Sequence, residues 1–144
     1  IICDGHHLAD EIVGMAIRAR PVPRRMMLVS DAMATVGGPD EFTLYGQTIR
    51  LQDGRLVNEE GSLAGAHVTQ ALGVQRLVRQ TGTPLETALA MATSAPSACI
   101  GRPDLGGLVG RGADDLVVLD ADTLDYGGDL ATALSVVAQN NAAQ

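Results

Sequence analysis

The sequence predicts an α/β fold in which parallel strands alternate with helices. Two apolar segments, Ile1 to His7 and Met26 to Asp31, are separated by a stretch with helical periodicity. Such alternation is typical of neighbouring parallel strands, and ligands collect at the carboxyl ends of these strands, where His7 and Asp31 stand. The first segment opens at residue 1 without a starting Met. We therefore expect the last part of a larger enzyme, carrying one portion of its active site.

The composition is that of a globular chain with an acidic balance. Its 144 residues and 46% hydrophobic content are enough for one ordinary domain. A net charge of −7 argues against a nucleic-acid partner, and the arginines between residues 18 and 25 are interpreted as a solvated helix end, with a phosphate site as the minor alternative. Two cysteines without paired spacing favour a reduced, cytoplasmic protein. The sequence contains neither a signal peptide nor a long apolar span, so we expect no membrane partner.

The first helix is predicted over residues 9 to 20, where one face carries Ile12, Val13, Ala16 and Ile17. Pro21-Val22-Pro23 should end it.

The second strand, Met26 to Ser30, is apolar throughout, as expected of a strand that is covered on both sides. Residues 34–40 contain two Gly and one Pro and are predicted to form a loop beside the active site. Phe42 to Arg50 and Leu51 to Val57 alternate in polarity, which indicates short β-strands with turns at Tyr45-Gly46 and Gln52-Asp53-Gly54.

The remaining elements are mainly helical. Helices are predicted from about His67 to Gln80 and from Leu85 to Thr93, followed by a short helical turn from Thr93 to Gly101. Leu116 to Leu119 reads as a strand, and the Ala-rich tail from Leu130 to Val137 as a helix.

The residues that could do chemistry each have an ordinary structural alternative. Asp31 could be a turn or N-cap residue, or a general base or metal ligand, and the local sequence leaves both open. His6 and His7 should point to opposite sides of a strand, so at most one faces the site. His67 is predicted to be a surface or capping residue. The spacing of His and Cys assembles no complete metal site, and no glycine-rich nucleotide loop is present.

Four motifs, taken together in order and spacing, resemble the C-terminal part of the N-acetylglucosamine-6-phosphate deacetylase family of amidohydrolases. They are Asp4-Gly5-His6-His7, Leu28-Val29-Ser30-Asp31-Ala32, Gly61-Ser62-Leu63-Ala64-Gly65, and Met91-Ala92-Thr93 with Pro96 and Ile100-Gly101. The similarity runs from residue 1 to about residue 120 and matches the last third or so of the family's length. The combination is specific, since the last motif alone is common to many amidohydrolases.

The resemblance implies the C-terminal part of a distorted (β/α)₈ TIM barrel plus part of a small β-sandwich domain. Residues 1–101 would supply the last barrel strands and helices, with a β excursion at about 41–58. Residues 102–122 would belong to the small domain, and residues 123–144 would form a divergent helical tail.

The resemblance also implies a site. Asp31 matches the strand-end Asp that shuttles a proton between water and the leaving amine, and His7 matches a substrate-binding His that holds or polarises the acetyl carbonyl. Asp4, Gly5 and, with low catalytic weight, His6 belong to the same substrate-contacting loop. A second segment that touches the sugar phosphate is matched by Leu63, Ala64 and Gly65. The family's metal ligands, for a divalent ion that is zinc or alternatively iron, match nothing in this chain and would lie upstream of residue 1.

The implied partner is a small-molecule amino-sugar phosphate, and the implied full-length protein is a homodimer.

Arg111 and Asp114 stand where the family more often has Gly and Ala, which weakens the turn prediction there. Two alternatives stay open: an amidohydrolase acting on another N-acyl or cyclic amide substrate, and an inactive fragment that needs a partner chain.

Overall fold

The first two apolar segments lie side by side and parallel, as predicted. The computed structural model describes residues 1–20, 22 and 25–135. The amino group of Ile1 donates to the carbonyl of Met27 at 2.6 Å, and the amide of Val29 donates to the carbonyl of Ile1 at 2.9 Å. Together these two bonds bracket Leu28, which is the pattern of a parallel pair.

Neither segment becomes a regular strand, which corrects the predicted strands. The chain bends from Asp4 onward, and the amide of Leu28 donates to the carbonyl of Met91 at 2.9 Å instead of to a strand. The carbonyl of Leu28 accepts from the side chain of Gln70 at 3.2 Å. The backbone amide and carbonyl of Leu28, which would pair with a neighbouring strand in a regular sheet, are therefore hydrogen-bonded to residues of helices.

Four helices follow the predicted order. They are α1 (Asp10–Arg18), α2 (Gln70–Thr81), α3 (Leu85–Ala92) and α4 (Ser94–Cys99). Within the described residues, no helix has the length and apolar character needed to cross a bilayer. Pro21 and Pro23, which were predicted to stop the first helix, lie outside the described residues.

Helix α2 has both of its ends capped. The hydroxyl of Thr69 accepts from the amide of Leu72 at 3.1 Å, and Gly82 closes the helix in the left-handed conformation at φ 69°. The predicted start near residue 67 was therefore three residues early.

The core lies between the extended segments and helices α1, α2 and α3. Its buried members are Cys3, Val13, Leu28, Val74, Leu77, Ala88 and Met91. Gly73 lets α2 approach closely, since a Cβ at this position would lie 2.9 Å from the Leu28 side chain. Two expectations of burial are wrong within this chain. Val29 and Ile12 are each 46% exposed, because the helices cover one face of the extended segments and Val13 takes the buried position on α1.

The β excursion is a three-stranded antiparallel meander of β1 (Glu41–Leu44), β2 (Gln47–Gln52) and β3 (Arg55–Val57). Two-residue turns join the strands, and both were predicted in sequence. Tyr45 and Gly46 have φ of 50° and 80°, and Asp53 and Gly54 have φ of 50° and 77°. Two consecutive positive φ angles are the type I′ geometry that matches the strand twist.

The C-terminal elements form a second small sheet. Strand β4 (Val117–Leu119) pairs antiparallel with β5 (Tyr126–Asp129). The prediction of a helical tail from residue 123 is therefore wrong over 126–129; residues 130–135 are helical, and 136–144 lie outside the described residues. Two of the four residues in Tyr126–Asp129 are glycines, which have no side chain, so the strand lacks the alternation of polar and apolar residues that would predict it.

Leu77→Ala is expected to lower the free energy of unfolding by about 2–5 kcal/mol, because it leaves a cavity in the core. Leu77 is 0% exposed, whereas Leu72 on the same helix is 41% exposed. Leu72→Ala is the matched control and should cost less than about 1 kcal/mol. Chemical denaturation measures both variants, and equal costs would contradict the assignment of the buried face of α2.

Candidate active site

Asp4, Gly5, His6 and His7 form a tight turn directly after the first extended segment. One carboxylate oxygen of Asp4, Oδ1, accepts from the backbone amides of His6 and His7, each at 3.0 Å. The other oxygen, Oδ2, lies 2.8 Å from Nδ1 of the His7 ring. The side chain of Asp4 is 6% exposed and that of His7 is 23% exposed. The turn therefore holds a buried carboxylate against a partly accessible imidazole.

The carboxylate of Asp4 is held in its charged form. Burial alone would raise its pKa, but the hydrogen bonds from the His7 and His6 amides and from the His7 ring together hold the pKa of Asp4 below its ordinary value. At neutral pH Asp4 is therefore an ionised group that can only accept hydrogen bonds.

The guanidinium of Arg76, in α2, packs against this turn at Gly5. Gly5 has φ 80°, and a Cβ at this position would collide with the Arg76 guanidinium, so the turn requires Gly for its conformation and for the space. Arg76 is in turn paired with Asp10 of α1 at 2.7 Å. Arg76 was not singled out in the sequence, where no local pattern connects it to a turn about seventy residues earlier.

Asp31 ends the second extended segment in the left-handed conformation, with φ 52° and an exposed side chain. Its carbonyl accepts from the amide of Ala66 at 2.9 Å, and the amide of Met33 donates to the carbonyl of Ala66 at 3.1 Å. These bonds make Ala32 and Ala66 a parallel bridge. Among the described residues, the Asp31 carboxylate takes part in no hydrogen bond or ion pair, so it is open to solvent.

Leu63, Ala64 and Gly65 connect the meander to the Asp31 segment. Leu63 bridges to Val57 of β3, and the amide of Ala64 donates to the carbonyl of Leu56 at 3.0 Å. Gly65 has φ 86°, and a Cβ there would collide with the side chain of Met33. The close approach that Gly65 permits is thus to the loop after Asp31, and contact of this segment with a sugar phosphate stays a prediction.

His6 and His67 differ in their surroundings. His6 is exposed, and its ring has no hydrogen-bond partner among the residues that the structure describes. His67 was expected at the surface or as a cap, and this is wrong: it is half-buried, and its Nδ1 lies 2.9 Å from the hydroxyl of Thr35, which is 2% exposed. The helix cap is Thr69 instead. This bond ties the loop after Asp31 to the segment that begins at Gly65.

The register brings the two turns to the same edge of the paired segments. Ile1 lies opposite Leu28, and both Asp4 and Asp31 come three residues later. The two carboxylates therefore follow the carboxyl ends of neighbouring parallel segments, which is where active-site groups collect in α/β proteins. Within 1–20, 22 and 25–135, no group of three or more His, Cys, Asp or Glu side chains could hold a metal ion.

Curated relatives align with this chain over most of its length. The N-acetylglucosamine-6-phosphate deacetylase of Vibrio furnissii is 34% identical over 121 residues, which are 82% of this chain and 30% of that protein. The N-acetylgalactosamine-6-phosphate deacetylase of Shewanella sp. (strain ANA-3) is 33% identical over 123 residues, which are 85% of this chain and 31% of that protein. The chain thus spans about a third of the length of these relatives. No family model matches it.

Solved structures agree with the sequence relatives. The N-acetylglucosamine-6-phosphate deacetylase from Pasteurella multocida has a TM-score of 0.80 and 30% identity, over 90% of this chain and 34% of that chain. A mutant of the Mycobacterium smegmatis enzyme, in complex with N-acetyl-D-glucosamine-6-phosphate, has a TM-score of 0.77 and 30% identity, over 90% of this chain and 35% of that chain.

The sequence relatives and the solved structures thus agree on one class of protein, the deacetylases of phosphorylated amino sugars. More narrowly, it is homologous to the C-terminal portion of N-acetylglucosamine-6-phosphate deacetylases. The division into barrel and sandwich stays a prediction.

Thr35→Val is expected to destabilise the loop after Asp31 by about 1–3 kcal/mol, because it leaves Nδ1 of His67 without its partner. Native-state hydrogen exchange at the amides of Met33 and Ala66 should accelerate accordingly. Thr43→Val, on the exposed part of β1, is the control and should change the free energy of unfolding by less than about 0.5 kcal/mol. Unchanged exchange at Met33 and Ala66 in Thr35→Val would refute the role of this bond.

Proposed function

We propose that this chain supplies one side of the active site of an enzyme that hydrolyses the acetamide of N-acetylglucosamine 6-phosphate, giving glucosamine 6-phosphate and acetate. The observation that carries the proposal is the register of the two turns, which sets the open carboxylate of Asp31 level with the turn that holds His7. The similarity to deacetylases of this substrate supports the reaction class.

Asp31 would move the proton in this reaction. An amine leaves an amide poorly unless its nitrogen is protonated, so one carboxylate that takes a proton from the attacking water and then delivers it to nitrogen serves both steps. A carboxylate without a hydrogen-bond partner among the described residues is free for this task. Because the amide of Ala66 donates to the carbonyl of Asp31, and the amide of Met33 donates to the carbonyl of Ala66, the backbone that carries the Asp31 side chain is held in place.

The remaining predicted residues would bind the substrate. His7, positioned by Asp4 and Gly5, would contact the sugar or its acetamide, and the exposed His6 would contribute little beyond the edge of the turn. Leu63, Ala64 and Gly65 would line the sugar-phosphate side, where small residues leave room for a ligand near the backbone.

A divalent metal, zinc or alternatively iron, is implied by the resemblance and would activate the attacking water when bound. The residues described do not fit such an ion by themselves, since they contain no group of three or more ligands. No step of the proposal is therefore assigned to it. The homodimeric full-length protein and the cytoplasmic location stay predictions from sequence.

The sugar itself has a second candidate. The Shewanella relative is named for N-acetylgalactosamine 6-phosphate, and its identity of 33% is close to the 34% of the Vibrio furnissii relative. The two substrates differ only at one sugar carbon, far from the acetamide chemistry. Comparing acetate release from both sugars would decide between them, and release from neither would favour another N-acyl or cyclic amide substrate, or an inactive fragment that needs a partner chain.

Asp31→Asn is expected to lower the rate of acetate release from N-acetylglucosamine 6-phosphate by about 10²–10⁴-fold, because an amide cannot carry the proton. The assay compares this chain and a full-length version, each with added zinc. Asp53→Asn is the matched control, since Asp53 is also exposed and its φ of 50° is close to the 52° of Asp31. Asn tolerates this conformation, so both variants should fold.

The control should keep its activity within about twofold of the unmodified protein. Near-normal turnover of the full-length Asp31→Asn variant would show that Asp31 is not the proton shuttle.

A further inference from the structure

The contact between Asp4 and His7 determines which nitrogen of the ring carries the proton. Both oxygens of Asp4 are already engaged, Oδ1 by two backbone amides and Oδ2 by Nδ1 of His7 at 2.8 Å. An ionised carboxylate offers no proton to the ring, so the proton in this bond must belong to Nδ1. Neutral imidazole carries one proton, and Nε2 is then left with a lone pair.

We infer that Asp4 is a positioning residue that holds His7 as the Nδ1–H tautomer, so that Nε2 accepts a hydrogen bond from a donor on the substrate. This inference rests on the proposed function in naming the substrate. The donor is a sugar hydroxyl or the acetamide N–H, because these are the donor groups that such a sugar carries. The acetyl carbonyl is excluded as the partner of neutral His7, since two acceptors facing each other repel.

The surroundings of the turn support a fixed ring. Asp4 is 6% exposed and its oxygens accept from three donors of its own turn, and the Arg76 guanidinium lies against Gly5 in that turn. A second group that fixes the ring of a functional histidine is a common arrangement, because the tautomer decides whether the free nitrogen donates or accepts. His6 offers an internal comparison, since it belongs to the same turn but its ring has no partner among the described residues.

The tautomer can be read directly in this chain by ¹⁵N NMR of the histidine rings, at a pH where the rings are neutral. We expect His7 to show a protonated Nδ1 and an unprotonated Nε2, whereas His6 should show the mixture of an unconstrained ring. A protonated Nε2 in His7 of the unmodified chain would overturn the inference without any variant being needed.

Asp4→Asn is the sharpest variant. Its side-chain oxygen can still accept from the two backbone amides, while its NH₂ group would donate to Nδ1 and force the proton onto Nε2. In the spectrum of this variant, Nδ1 of His7 should therefore be unprotonated and Nε2 protonated, and the ring resonances of His6 should stay unchanged. A His7 spectrum identical to that of the unmodified chain would refute the role of Asp4.

The kinetic arm uses the full-length protein. If Nε2 accepts from a binding group of the substrate, Asp4→Asn should raise KM by about tenfold and change kcat little. A fall in kcat at unchanged KM would instead mean that His7 polarises the carbonyl, and it would overturn the inference. Absence of acetate release from the unmodified full-length protein would refute the proposed function but leave the tautomer assignment to the NMR result.

Discussion

The segment from Met26 to Asp31 is the constraint on which the rest of the structure depends. Its backbone bonds to Ile1, to Met91 and to Ala66, and the Leu28 side chain fills the space that Gly73 leaves on α2. The first extended segment, the end of α3 and the segment after Gly65 are thereby held relative to one another. Because the carboxyl end of this central segment carries Asp31, the packing that buries Leu28 also places the open carboxylate.

The sequence predicted best the elements that local interactions determine. The turns at Tyr45-Gly46 and Asp53-Gly54 form where a residue that tolerates positive φ meets a glycine, and this requires no distant partner. The hydrogen bonds of the extended segments were harder to predict, because an apolar run does not show which carbonyl groups will accept from its amides. The amide of Leu28 goes to a carbonyl at residue 91, and no pattern near residue 28 indicates this bond.

In the candidate site, too, contacts between residues close in sequence were predictable and contacts between distant residues were not. The bond between Asp4 and His7 spans three residues, so the turn could have been inferred from the motif that contains both. The bond between Thr35 and His67 spans 32 residues, and His67 therefore looked like a surface residue. Arg76 reaches the Gly5 turn only because α2 packs beside α1. The roles of Asp31 and His7 came from the strand ends and from the resemblance, and they stay proposals.

The two aspartates at this edge have different surroundings, and the difference fits the roles proposed for them. Asp4 is buried and its oxygens accept from three donors, and these hydrogen bonds hold its pKa below the ordinary value, which fits a fixed partner of His7. Asp31 is exposed, and its carboxylate has no partner among the described residues, which fits the proton transfer proposed for it. A site with one saturated and one open carboxylate can fix a histidine with the first and perform acid–base chemistry with the second.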